Sequence, residues 1–179
     1  MRWLPFFILA YVVLGVQVGL GGFVSVKGAT PSLVLGLVVF ACTNAPREQA
    51  LLASFVLGLS QDLLTVDQPI GLYAMSYGLS GLIVVAARKV AYADHPLTHF
   101  FLALAGGLTT AVVLTVHAWV RPATAASTGV DGLLLPAVGP DKGPLYLSAV
   151  LTAVAAPFLI WALKKFRPVL GIQRGRPRY

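Results

Sequence analysis

The sequence predicts an all-α polytopic membrane helix bundle, with six transmembrane helices and both ends on the cytoplasmic side. Three observations predict it. Of the 179 residues, 58% are hydrophobic and 11% charged, with a mean hydropathy of +0.84. So few polar residues cannot clothe a water-soluble core of this size. The apolar residues gather in long runs interrupted by Pro, Gly and basic residues, and the basic residues divide unequally between alternate ends of those runs.

The runs are Trp3 to Val24, Pro31 to Ala45, Gln49 to Val66, Ile70 to Ala87, His99 to Val120, and Leu145 to Ala162. The first follows Arg2 as a signal peptide would, but it is longer than a leader's apolar core and has no clean small-x-small cleavage site, so it is expected to stay as the first span. The second falls short of the roughly 20 residues a span wants, and Pro46 stops it; Lys27 can extend its reach by snorkelling. Between the third and fourth, Asp67 and Pro69 are expected to cap and open the next helix, closing a tight hairpin. A Pro- and Gly-rich outer loop, 121–144, separates the fifth and sixth. This makes 1–163 a single transmembrane helical domain and 164–179 a basic cytoplasmic tail.

Orientation follows from Lys and Arg. With the N-terminus inside, Arg2, Arg47, Arg88, Lys89 and the tail's Lys164, Lys165, Arg167, Arg174, Arg176 and Arg178 lie inside, and Lys27, Arg121 and Lys142 outside: ten of thirteen against three. Were the second run not to cross, the tail's six basic residues would lie outside. The net charge of +7 therefore reads as affinity for anionic lipid and not for nucleic acid, because no basic-aromatic surface forms. The lone cysteine, Cys42, lies inside an apolar run and is read as packing; an intrachain disulfide is excluded.

In lipid, helices associate through small residues that let backbones approach. Gly15 with Gly19, Gly71–Ala74–Gly78–Gly81, and Ala103–Gly107–Ala111 have that spacing and are expected to face helix neighbours. The leading candidate for a functional role is Asp62, beside Gln61 near the end of the third run, since a carboxylate in or near hydrocarbon is costly and needs a partner. The plainer reading is an interfacial cap. Gln17 is read as a helix-to-helix hydrogen bond, and His117, with Trp119 and Arg121, as an interfacial anchor. Asp94, His95 and His99 are closely spaced, but Pro96 intervenes and no further ligand joins them, so no metal site is assigned. There is no phosphate loop, paired carboxylate or nucleophile elbow, so neither catalytic residues nor a cofactor is assigned.

The stretch Phe55-Val-Leu-Gly-Leu-Ser-Gln-Asp-Leu-Leu, then Pro69-Ile-Gly-Leu-Tyr-Ala-Met-Ser-Tyr-Gly-Leu-Ser-Gly, resembles the rod shape-determining protein MreD family, with Pro31 to Leu35 agreeing as well. The positions that carry the resemblance are Gly58, Asp62, Leu63, Gly71, Leu72, Ala74 and Gly78. The resemblance implies a non-enzymatic scaffold of the cell-elongation complex. Its implied partners are an MreC-like single-span protein and, with it, MreB, RodA and the penicillin-binding transpeptidase. The family is also similar in architecture to the substrate-binding subunits of energy-coupling-factor transporters, which supplies a second reading. The low polar content of each separate span favours the scaffold.

Overall fold

A computed structural model of the chain describes residues 2–20, 29–65, 69–88, 96–128 and 143–165. Among these it forms six helices and no strand: α1 (Trp3–Leu20), α2 (Leu33–Asn44), α3 (Arg47–Leu64), α4 (Leu72–Ala87), α5 (Pro96–Thr128) and α6 (Gly143–Lys164). Helices and apolar runs agree in order and number. Two helices, over Leu97–Val120 and Leu145–Lys164, are long and apolar enough to cross a bilayer, and α1, α2 and α4 are shorter apolar helices.

The bundle is organised around its shortest helix. In α2 every residue from Val34 to Cys42 is buried, as a helix that is apolar on all sides must be. It packs against each of the other five helices. Twelve residues rise only about 18 Å, well short of a hydrocarbon layer of about 30 Å. The shortfall matters little to a helix whose neighbours shield it from lipid, provided its end groups find partners.

Those partners also give the direction of each helix. The start of α2 meets α4 early, where Ser32 Oγ and Tyr77 OH lie 3.0 Å apart, and its end meets α4 late, where Arg88 donates to its last carbonyls. The two helices therefore run in parallel. Gln17 near the end of α1 bonds Val34 at the start of α2 and Gln61 near the end of α3, so α1 and α3 run the opposite way. Ser148, Thr152 and Leu159 of α6 meet Thr30, Ser32 and Gly36 in that order, which aligns α6 with α2. Odd and even helices thus alternate in direction among the helices these bonds connect.

Close approach occurs at particular small residues. A Cβ added to Gly36 would strike Leu159, one on Gly107 would lie 2.9 Å from the Ala149 Cβ, and one on Gly81 would lie 2.5 Å from Ser54 Oγ and 3.5 Å from Cys42 Sγ. Cys42 is fully buried and its Sγ sits 3.2 Å from Ser54 Oγ, so it faces helices and not lipid. Ala103 and Ala111 are buried beside Gly107 on α5.

The structure corrects several expectations. Gly15, Gly19 and Gly78 have no atom within 4 Å of an added Cβ. On α4 the packed line is Ala74, Tyr77, Gly81 and Val84. At about 100° per residue, Gly78 lies some 60° round from Gly81, which suffices to take it off that line. The first helix is described as far as Leu20, and the rest of the expected run to Val24 falls in residues 21–28, which lie outside the described residues. Helix α4 begins at Leu72 with Gly71 as its cap, so Pro69 is not in its first turn, and Asp67 lies outside the described residues. Helix α5 continues past Val120 to Thr128, consistent with the alanines at 123, 125 and 126, which favour helix. That extension takes up the start of the expected 121–144 loop; residues 129–142, Lys27, Asp94, His95 and most of the 164–179 tail lie outside the described residues.

Candidate functional site

Among the described residues, the start of α4 is tied to the end of α3 by the Asp62 side chain. Asp62, only 3% exposed, accepts three backbone N–H bonds: Gly71 N at 3.0 Å and Ala74 N at 2.9 Å to Oδ2, and Tyr73 N at 2.8 Å to Oδ1. The first turn of a helix has N–H groups with no partner in the helix, and its end carries partial positive charge. A carboxylate from the neighbouring helix answers both needs. Bonds to a charged acceptor are worth about 1.5–3 kcal/mol each against an apolar alternative.

Sequence spacing makes this reach possible. Gly58 lies one turn before Asp62, on the same face of α3. A Cβ there would lie 2.5 Å from the Tyr73 carbonyl oxygen and 2.6 Å from the Ala74 Cα. Only glycine lets the α4 backbone come close enough for the carboxylate to reach its amides. Gly71 has φ +105°, a left-handed conformation that side-chain-bearing residues rarely adopt, and it starts α4 without a cap side chain of its own. Ala74 is buried with its backbone against Gly58, whereas Leu63 is 70% exposed. Of the seven motif positions, Gly58, Asp62, Gly71 and Ala74 meet in this clasp; Leu63, Leu72 and Gly78 lie outside its contacts.

Beside the clasp, at the end of the bundle where α2, α4 and α6 begin, a cavity of about 120 Å³ opens among all six helices. Gln17 and Gln61 form one wall, with Gln17 Nε2 donating to Gln61 Oε1 at 3.0 Å. Ser32 connects the centre: its Oγ accepts from Leu35 N, its amide donates to Thr152 Oγ1 at 2.8 Å, and its hydroxyl meets Tyr77 OH. Thr110, Ser148, Thr152 and Tyr73 complete the polar lining. Counting polar residues span by span understated how far they converge, because each helix contributes few and the fold brings them to one place. Gln17 could be anticipated from its isolation in an apolar run; the hydroxyls could not, since Ser and Thr are ordinary in membrane helices.

At the other end of the bundle, Arg88 Nη1 donates to the carbonyls of Cys42 at 2.9 Å and Ala45 at 2.6 Å. The guanidinium thus meets the negative end of α2. Counted as one more basic residue at a helix end, Arg88 gave no sign of this contact in the sequence. Trp119 is 70% exposed on α5, as an interfacial ring would be. Among the described residues no three His, Cys, Asp or Glu side chains converge as metal ligands.

Compared with known protein families, residues 1–128 match the model described as rod shape-determining protein MreD. The match takes in α1 to α5 and more than half the chain, and α6 follows it. No curated protein and no solved structure matches the chain.

Proposed function

We propose, on the premise that this chain belongs to the MreD family of rod shape-determining proteins, that it is a non-enzymatic membrane scaffold of the cell-elongation complex. In this reading it binds an MreC-like single-span protein and, through it, MreB, RodA and the penicillin-binding transpeptidase. The family supports a membrane protein acting in cell shape. The observation that carries the scaffold reading is the Gly58–Asp62 clasp: a buried carboxylate whose bonds go to three backbone amides is built to hold two helices in fixed geometry, not to turn over a substrate. A rigid α3–α4 pair is what a partner helix needs to dock against without an ordering cost. Recovery of MreC with the tagged protein, purified from its host in mild detergent, is the expected result; its absence at native expression overturns the reading.

The same proposal places six crossings in the bacterial inner membrane, with both termini and the basic tail on the cytoplasmic side, against anionic lipid. Alternating helix directions and the ten-to-three basic split support it. A cysteine placed at Ser127, in the Cys42→Ala background, is expected to react with an impermeant maleimide from the outer face of spheroplasts. Labelling from the cytoplasmic face alone overturns the topology.

A further inference from the structure

We infer that the cavity between the Gln17–Gln61 pair and α6 is a binding site for a small uncharged guest rich in hydroxyl groups, of the glycerol class. The inference goes beyond the scaffold reading and rests on the cavity alone.

Its size comes first. A cavity of about 120 Å³ is somewhat smaller than the engineered one of about 150 Å³ that takes up benzene, so a guest of about six heavy atoms fits. Its chemistry follows from where the protons go. Thr110 donates to the Gly106 carbonyl at 3.1 Å, Thr152 to Ser148 O at 2.7 Å, and Ser148 to Thr30 O at 2.5 Å. With their protons spent inside the protein, these three hydroxyls have only lone pairs left for whatever occupies the cavity, Thr152 just one because it also accepts from the Ser32 amide. A guest that donates suits these three, and the Gln17 and Gln61 amides and the tyrosine hydroxyls can also donate to it, so a hydroxyl, which does both, suits the lining.

Charge narrows the class. Among the described residues, none that lines the cavity carries a formal charge, so an anion or cation would meet no counter-ion among them, at a desolvation cost that neutral guests avoid. The start of α2, with its positive dipole end, lies at the cavity as well and disfavours a cation further. The remaining lining is apolar: Leu35, Leu114, Leu145 and Ala111, with the rings of Tyr73 and Tyr77 at 5.8 Å and 70° to each other. A short carbon chain bearing several hydroxyls meets both kinds of wall. The polyol can arrive free or as the terminal glycerol of a lipid headgroup.

The test uses the full chain, delipidated and free of glycerol, in detergent. Thermal unfolding is followed against glycerol, 1-propanol and glycerate, and separately against phosphatidylglycerol in mixed micelles. Glycerol is expected to raise the melting temperature saturably in the millimolar range, with no saturable rise from 1-propanol or glycerate. A rise with phosphatidylglycerol but not with phosphatidylethanolamine identifies the headgroup as the source. Ala111→Leu, which fills the cavity, should abolish whichever response is seen, and Thr110→Val, which removes one acceptor, should raise the half-saturating concentration about 3–10-fold, as loss of one hydrogen bond implies. Thr110→Val keeps the side-chain shape and serves as the check should Ala111→Leu fail to fold. No saturable response to either glycerol or the lipid, or a response that Thr110→Val leaves unchanged, overturns the proposal.

Discussion

Two charged side chains, one at each end of the bundle, do the same job with opposite signs. At the α3–α4 turn, Asp62 meets the amide end of α4; at the α2–α3 turn, Arg88 meets the carbonyl end of α2. Each charge matches the dipole of the helix it touches and reaches it from a different helix. The settings differ. Asp62 is buried, and three amides share its two oxygens. Arg88 is half-buried, and a single nitrogen serves two carbonyls. Cys42, whose carbonyl Arg88 holds, is packed against Ser54 and Gly81, while beside Asp62 the bundle opens into a polar cavity. The contrast teaches that the same electrostatic device can either close a core or fix the rim of a site, depending on what packs beside it.

The largest effect should come from breaking the buried member. Asp62→Ala leaves three amides without their acceptor, at about 1–3 kcal/mol for each group that water cannot reach, so a loss of about 3 kcal/mol or more is expected in detergent unfolding. Asp62→Asn should cost less, since its one amide oxygen can still take two of the bonds while its NH₂ faces the third donor. The proposed docking role predicts that MreC recovery falls in the same order: wild type, Asn, Ala. Equal stability of all three proteins would show that the carboxylate is a bystander to the turn.

A smaller loss is expected at the other end. Arg88→Ala frees two carbonyls near a helix end, and a carbonyl tolerates weaker partners than an amide because water can bridge to it at a half-exposed position. About 1–2 kcal/mol is the expected cost in the same assay, with MreC recovery unchanged. If Arg88→Ala proves as damaging as Asp62→Ala, the two ends are equivalent and the asymmetry drawn from burial is wrong.

How much of this could be read in the sequence differs between the two ends for a physical reason. Asp62 was legible because a carboxylate among Phe55, Leu57, Leu59, Leu63 and Leu64 is expensive to leave unpaired, and Gly58 because glycine four residues before it shares its face. The helices were legible in number and order from apolar runs alone. Arg88 was not, because a basic residue at a helix end is what the positive-inside rule supplies anyway, and a cap in trans depends on tertiary placement. Nor was the cavity, which is assembled from residues as far apart as Thr30 and Ser148. Helix ends depart from the runs at Pro69 and Val120, where hydropathy continues or stops but backbone geometry decides.

Glycines show the same limit, and Gly78 gives the smallest predicted effect. Its spacing from Gly71, Ala74 and Gly81 suggests one small-residue face, yet only Ala74 and Gly81 pack that face against a neighbour, while Gly71 meets Asp62 through its backbone amide alone. Gly78 is partly exposed with nothing within 4 Å of an added Cβ, so a side chain there enters open space. Replacing a mid-helix glycine also removes backbone freedom from the unfolded chain, a gain of about 0.5–1 kcal/mol. Gly78→Leu is therefore expected to leave folded yield unchanged or slightly raised. Gly81→Leu, one turn on, has no such space, because its first added carbon would meet Ser54, and folded protein should be lost. The pair separates packing inside the bundle from docking outside it. If Gly78→Leu keeps its melting temperature but loses MreC, the open groove at Gly78 is where the partner helix lies; if it loses both, the groove is closed by a neighbour in the membrane, and the division between a packed Ala74–Gly81 line and an open Gly71–Gly78 line fails.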